Sequence, residues 1–154
     1  VIRYAKHIGA SDERLYRALL VSDLVTIHQK TGIGRLSAYC GAVSAGCGAG
    51  AGIAYLLGGD YRAMAHTIVN AVAILSGTIC DGAKPSCAAK IASAVEAGIL
   101  GYYMYVNDQQ FRGGDGIVAK GVENTIRNVG LLASQGMKQT DRVILNIMTG
   151  DQCL

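Results

Sequence analysis

The region that most limits the fold of this chain is residues 36–59, a run of 24 residues without a charged side chain. Its pattern predicts a helix over about residues 36–57, which would contain the glycines Gly41, Gly46, Gly48, Gly50 and Gly52. Each glycine costs up to about 1 kcal/mol relative to alanine in an exposed helix. This helix should therefore be buried, with its small residues in close contact with a neighbouring backbone or a cofactor.

The remaining sequence also favours helices. The 154 residues include one proline and little β-branched alternation, so we expect a single domain over residues 1–154. Its fold class should be all-α, a compact bundle of about five to six helices with Gly/Ala-rich buried helices. Besides residues 36–57, helices are predicted at about 11–32, 60–79, 85–106, 118–134 and 140–148, with a loop at 111–116.

Two of these helices have predicted inward faces. The helix that begins at Ser11 carries an N-cap residue and two acidic residues in its first turn, which is typical of a helix start. Its inward residues should be Leu15, Ala18, Leu19, Leu24, Val25 and Ile27. The helix that follows Pro85 should direct Ala88, Ile91, Val95, Ile99 and Leu100 inward.

Charge and composition weigh against several classes of protein. The net charge is +3 and the basic residues are scattered, so a nucleic-acid partner is not indicated. Residues 36–59 and 63–80 are long enough for a membrane hairpin. However, the first is rich in glycine and alanine, Asp60 and Arg62 lie between them, and no aromatic belt flanks them, so buried core helices are favoured over a membrane role.

The cysteines suggest a reducing compartment. Five cysteines, an odd number spread unevenly, form a poor disulfide framework, and we expect a cytoplasmic protein. Because the chain begins at Val1 rather than at a methionine, it is expected to be a piece of a longer protein.

Residues 76–90, SGTICDGAKPSCAAK, place two cysteines around a loop. Asp81-Gly82 is a turn dipeptide, and Pro85 suits the first turn of a helix. Cys80 should therefore end one helix and Cys87 begin the next. A helix N-terminus and the nearby Lys84 would favour the thiolate of Cys87, the form that binds metals.

The spacing of the cysteines suggests three ligands rather than four. In a helix, Cys40 and Cys47 would lie about 10.5 Å apart along the axis, so only one of them is expected to join Cys80 and Cys87. Three thiolates suit an iron–sulfur cluster with one open iron, or less often zinc. The alternative is that these cysteines are small core residues without a metal.

Several motifs resemble one known family. They are SGTICDGAKPSCAAK at 76–90, GRLSAYC at 34–40, YLLGG at 55–59, GGDGI at 113–117 and ENTIRN at 123–128. In this order they resemble the L-cysteine desulfidase family, which is related to the iron–sulfur L-serine dehydratase alpha chain. The resemblance extends over residues 34–148.

The resemblance implies a function and a site. It implies the C-terminal, cluster-binding part of a longer lyase, with a [4Fe–4S] cluster held by Cys40, Cys80 and Cys87 and without pyridoxal phosphate. The implied reaction is α,β-elimination from a small L-amino acid. From L-cysteine it gives pyruvate, ammonia and hydrogen sulfide, and from L-serine it gives pyruvate and ammonia. An N-terminal region of the same enzyme would be a partner, and without it this fragment should be inactive. The resemblance also allows a homo-oligomer.

The candidate catalytic residues, two histidines and the two remaining cysteines each have more than one possible role. The catalytic base is not assigned, and the candidates near the cysteines are Lys84, Asp81 and Ser86, for which loop, turn and cap roles are the alternatives. His28 and His66 are expected to be structural, and Cys47 to be a core residue. Cys153 is interpreted as an exposed thiol near the C-terminus, although related serine dehydratases place a cysteine there against the cluster. The rival function is a structural zinc or interaction domain without catalysis.

Overall fold

The computed structural model describes residues 1–150, which form helices joined by loops, the longest of them between residues 106 and 122. The prediction of an all-α fold is confirmed. In chain order the elements are α1 (Ile2–His7), α2 (Asp12–Ile33), α3 (Gly41–Leu56), α4 (Tyr61–Leu75), α5 (Ser86–Val106), α6 (Val122–Leu131), a π-helix (Leu132–Gly136) and α7 (Lys138–Thr149).

The buried helix α3 lies at the centre of the fold, in contact with α2, α4 and α5. Its glycines face two neighbours. A Cβ atom at Gly50 would lie 2.6 Å from the Cα of Gly98 in α5, and one at Gly52 would lie 2.7 Å from the carbonyl oxygen of Ala18 in α2. Distances this short leave no room for a side chain. The predicted close contact is therefore with neighbouring backbones.

The contacts between α3 and α5 define their relative direction. Gly46 meets Ala94, and Gly50 meets Gly98, so residue numbers rise together in the two helices. The helices are therefore parallel, and their N-termini lie at the same end of the bundle. Against α2, Gly48 meets Ser22 and Gly52 meets Ala18, so α2 and α3 are antiparallel.

The predicted boundaries of two helices were wrong. α3 begins at Gly41 rather than near residue 36, and α4 ends at Leu75 rather than near residue 79. The residues left out of both helices instead pair with each other through an isolated antiparallel bridge between Tyr39 and Ile79. The Ser37 hydroxyl accepts a hydrogen bond from the Tyr39 N–H at 3.0 Å, a side-chain bond that competes with helix formation.

Several predicted inward residues are exposed instead. The N-cap at Ser11 is confirmed, since its hydroxyl accepts a bond from the Arg14 N–H at 3.3 Å. However, Leu24 and Ile27 of α2 are 63% and 59% exposed. In α5 the buried residues are Ala94, Ala97, Gly98 and Gly101, whereas Ala88, Ile91 and Leu100 are exposed. Only small residues fit between helices that approach this closely.

The loop at residues 111–116 is confirmed, and it is fixed by a buried amide. The Asn70 side chain donates to the carbonyl of Gly101 at 3.0 Å and accepts from the N–H of Phe111 at 3.1 Å. This side chain therefore links α4, α5 and the loop. Within residues 1–150, no helix combines the length and the hydropathy that crossing a bilayer requires.

The helix contacts predict the effect of adding one methyl group. Gly50→Ala should lower the free energy of unfolding by about 1–3 kcal/mol, because its Cβ would press against the α5 backbone. Urea denaturation measures the change. Gly41→Ala is the matched control, because within residues 1–150 no atom from outside its own helical turn lies within 4 Å of its Cβ position, and it should leave stability unchanged or raise it by up to about 1 kcal/mol. Equal effects at the two positions would contradict this account of the core.

Candidate metal centre

Cys40 and Cys80 are held next to each other by the bridge between Tyr39 and Ile79. The Cys40 N–H donates to the Thr78 carbonyl at 3.1 Å, and the Cys80 N–H donates to the Ala38 carbonyl at 2.6 Å. Cys40 is thus paired with Thr78, and Cys80 is its diagonal neighbour. Diagonal neighbours across such a pair lie roughly 7–8 Å apart on the same face. The prediction that Cys80 ends a helix was wrong, because it lies in this extended segment.

Cys87 comes from a third segment, the start of helix α5. As predicted it opens a helix, since it is the second residue of α5. The Lys84 N–H donates to its sulfur at 3.5 Å, and its thiol lies 3.5 Å from the Gly82 carbonyl. The parallel register of α3 and α5, continued back from Gly46 and Ala94, places Cys40 level with residue 88. Cys40 and Cys87 therefore lie at the same end of the bundle.

Lys90 ties the Cys80 segment to α5. Its ammonium group donates to the Ile79 carbonyl at 2.9 Å and to the Asp81 carboxylate at 2.8 Å, one residue to either side of Cys80. The pKa of Lys90 is raised, first by the hydrogen bond to Asp81 and also by its proximity to Cys40 and Cys87. A single cation is therefore close to all three cysteines.

The three candidate catalytic residues lie in or beside this loop. Asp81 forms ion pairs with Lys84 and Lys90, and the hydrogen bonds from these two ammonium groups lower its pKa to about 2. Asp81 is thus a carboxylate at neutral pH. Ser86 is the exposed first residue of α5. The structure places Lys84 and Asp81 together as an ion pair, and it makes Pro85, not Ser86, the N-cap residue of α5.

Local electrostatics favour negative charge at this end of the bundle. Cys40 is the N-cap residue of α3, and Cys87 lies in the first turn of α5. The unpaired N–H groups of a helix N-terminus stabilise a nearby anion, thiolates included. Lys84 and Lys90 add positive charge beside the same thiols.

Tyr39 and Cys47 form the buried side of the centre. The Tyr39 hydroxyl is buried and has no hydrogen-bond partner among residues 1–150, and burial, together with the nearby Cys47 and Cys40, raises the pKa of Tyr39. Burial also raises the pKa of the Cys47 thiol to about 12. Cys47 is 1% exposed, which confirms that it is a core residue.

The arrangement of the cysteines can be compared with the ligands that a zinc ion and an iron–sulfur cluster each require. Among residues 1–150, no group of three or more His, Cys, Asp or Glu side chains is gathered as a site for one metal ion. A structural zinc site requires four such ligands around one ion. A four-iron cluster is bound by thiolates that lie farther apart than the ligands of one ion. The set of Cys40, Cys80 and Cys87, at two helix N-termini and beside two lysines, therefore fits an anionic cluster better than zinc.

The surroundings of the loop include the last helix. The methyl carbon of Met148, in α7, lies 3.0 Å from the position that a Cβ of Gly82 would occupy. A side chain at Gly82 would thus strike α7, and its φ of +88° also favours glycine. Cys153 lies outside the described residues.

The two predicted structural histidines lie away from the cysteines. His28 pairs with Glu123 at 2.8 Å, and His66 stacks on Tyr105 with ring centroids 4.9 Å apart. Their described contacts agree with the structural roles expected from the sequence.

Sequence reasoning missed two residues that position the site. Lys90 lies three residues after Cys87, one helical turn along, so helical spacing could have placed it beside the loop. Ser37 donates to the carbonyl of Ala133, in the π-helix, at 2.8 Å and thereby anchors the segment that leads to Cys40. Nothing in the sequence pattern indicates a contact between residues 96 positions apart.

Comparison with known families gives a clear assignment. The sequence model of the family described as serine dehydratase alpha chain matches residues 1–146. The chain belongs to the serine dehydratase alpha chain family. No solved structure gives a significant match.

The relatives of this family member are longer proteins. One from Desulfitobacterium hafniense strain Y51, named UPF0597 protein, is 68% identical over 153 residues, which are 99% of this chain and 35% of the relative. Proteins of the same name from Treponema denticola and Lachnoclostridium phytofermentans are 51% and 53% identical, over 98% and 96% of this chain and 35% and 36% of their own lengths. The chain thus spans about a third of the length of these relatives.

The thiols should differ in reactivity. At pH 8 in metal-free protein, iodoacetamide should modify Cys80 and Cys87, which are partly exposed, and leave Cys47 unmodified, because its thiol is buried and its pKa is about 12. Peptide mass spectrometry measures the modified fraction. Modification of Cys47 in folded protein at the rate of Cys87 would contradict this order, and urea-unfolded protein, in which Cys47 should react, is the control.

Lys90 should hold the Cys80 segment in place. Lys90→Met should accelerate hydrogen exchange of the Cys80 amide several-fold, because it removes the bonds to the residues on both sides of Cys80. Lys84→Met is the matched control, since Lys84 bonds to Asp81 alone in this segment, and its effect should be smaller. Amide exchange resolved by NMR measures both, and equal exchange rates in the two variants would contradict this role.

Proposed function

We propose that this chain is the cluster-binding part of an iron–sulfur lyase that catalyses α,β-elimination from a small L-amino acid. The observation that supports it most is the arrangement of Cys40 and Cys80 beside the bridge, with Cys87 at the same end of the bundle and Lys90 linking them. Membership of the serine dehydratase alpha chain family supports the reaction class.

The proposed ligands are Cys40, Cys80 and Cys87. A [4Fe–4S] cluster with three protein ligands retains one open iron, and when bound it would supply a Lewis acid for the leaving group of the amino acid. The helix N-termini of α3 and α5 and the ammonium group of Lys90 would offset its negative charge. Lys90 would act here as a positioning residue.

The substrate and the catalytic groups follow from the same chemistry. Elimination removes the proton at Cα and breaks the Cβ–S bond of L-cysteine or the Cβ–O bond of L-serine, and hydrolysis of the product gives pyruvate and ammonia. Lys84 is 44% exposed at the cysteine loop, so it can attract the substrate carboxylate. Asp81, with its pKa of about 2, is a poor base at neutral pH, and its two lysine partners indicate a structural role. We therefore assign the base to the part of the polypeptide outside this chain.

Both L-cysteine and L-serine stay candidate substrates, because the motifs resemble L-cysteine desulfidases and the matching family model is that of the serine dehydratase alpha chain. A reducing compartment such as the cytoplasm would keep the described cysteines as the free thiols seen here. The second candidate, a structural zinc or interaction domain, has weaker support, because the described side chains do not form a group for one ion.

Metal analysis of the full-length polypeptide, purified and reconstituted without oxygen, tests the proposed site. It should contain about four iron and four sulfide per polypeptide. Cys40→Ser, Cys80→Ser and Cys87→Ser should each lose most of both. Cys47→Ser is the matched control and should retain them, because Cys47 is proposed to be a core residue. Stoichiometric zinc without sulfide would favour the structural domain instead.

Assays of the reconstituted full-length enzyme test the reaction. L-cysteine should yield pyruvate and sulfide in equal amounts or L-serine should yield pyruvate and ammonia, and the ratio of the two kcat/KM values identifies the preferred substrate. Loss of turnover in Cys87→Ser together with loss of iron would connect the reaction to the cluster. Cluster-loaded protein that produces no pyruvate from either amino acid would contradict the proposed activity.

A further inference from the structure

Some large apolar side chains of this fold, such as Ile33 and Tyr39, are buried, but many others lie on its surface. The helix contacts at the centre are made by glycine and alanine, whereas many large apolar side chains are exposed. Proteins that act alone rarely expose large continuous apolar surfaces. The exposed apolar residues therefore suggest that further protein covers part of the surface of this chain.

Helix α2 carries the clearest such surface. Tyr16, Leu20, Leu24 and Ile27 are between 59% and 63% exposed. Their spacing of four, four and three residues places them on one side of the helix. They form a stripe about 16 Å long at 1.5 Å per residue. We call these four residues the α2 stripe.

A groove continues from the α2 stripe onto α4 and α6. Leu24 lines a cavity of about 320 Å³ together with Met64 of α4 and Ile126 of α6. A second cavity of about 320 Å³ reaches the loop at Phe111, and the two share Tyr61, Ala65 and Val122 as walls. The stripe and both cavities therefore make one continuous apolar surface.

The far end of this groove is positively charged. Arg62, Arg112 and Lys120 line the second cavity, and none of them has an ion-pair partner among residues 1–150. At the end nearer α2, the side chains of His28 and Glu123 already contact each other at 2.8 Å. An occupant that matches this pattern would be apolar along its length and would carry Asp or Glu at the end near Phe111.

We propose that the α2 stripe and the groove are the surface on which the rest of the same polypeptide packs, through an apolar segment with acidic residues near Arg62, Arg112 and Lys120. Relatives that match nearly all of this chain have about two thirds of their length outside the match. A segment joined to this chain has a far higher local concentration than a separate molecule. This docking surface concerns the partner named in the proposed function, the rest of the polypeptide. It does not depend on the cluster or on the reaction.

Photo-crosslinking in the full-length polypeptide tests the occupant. A photoreactive phenylalanine analogue at position 24 should crosslink within one polypeptide, to residues outside this chain, as mapped by mass spectrometry. The same analogue at Lys138, an exposed position on α7, is the control and should not crosslink to that segment. Crosslinks between two polypeptides at position 24 would overturn the proposal in favour of self-association, and absence of crosslinks above the control would overturn it altogether.

A charge reversal tests the acidic end of the occupant. In the full-length protein, Arg112→Glu should lower the urea midpoint of unfolding, because it would oppose the acidic residues of the packed segment. Arg142→Glu, at an exposed position on α7, is the matched control and should have a smaller effect. Equal midpoints for the two variants would overturn the charge pattern. Iron content and pyruvate production are separate readouts, so failure of the docking surface and failure of the lyase function are distinguishable.

Discussion

The close contact of α3 with the backbones of α2 and α5 is the constraint on which the rest of the structure depends. Gly46 and Gly50 face α5, and Gly48 and Gly52 face α2, so each neighbour meets two glycines one turn apart. A side chain at any of these positions would collide with main-chain atoms or with side chains that are themselves packed. The cost of glycine in a helix is offset because the helices approach to backbone contact and bury most of α3.

This packing also determines where the cysteines lie. Because α3 and α5 are parallel and in register, Cys40 and Cys87 are brought to one end of the bundle, although they are 47 positions apart in the chain. The bridge between Tyr39 and Ile79 then adds Cys80 from the segment that follows α4. Lys90 stabilises this arrangement from the first turns of α5. The packing of the core thus determines the arrangement of the candidate site.

Dense packing by small residues has a second consequence at the surface. The interfaces of α3 with α2 and α5 have room only for small residues, and several large apolar residues, such as those of the α2 stripe, are exposed. Exposure of these apolar side chains to water is unfavourable. Covering them with further protein would raise the free energy of unfolding. The proposal that the rest of a longer polypeptide covers this surface would account both for the exposed apolar side chains and for the partial match to longer relatives.

The sequence alone determined the fold class, the buried helix and the importance of the cysteine loop, because glycine content, helical periodicity and turn residues are local properties. It also determined that Ser11 caps a helix and that Cys87 opens one. Only the tertiary structure decided that Cys40 precedes its helix, that Cys80 lies in an extended segment, and that Leu24 and Ile91 face outward. These depend on which backbones approach one another, as Tyr39 and Ile79 do, and on the direction from which α3 is contacted. Periodicity identifies the apolar side of a helix, but it does not reveal whether that side faces this chain's own core or a further part of a larger protein.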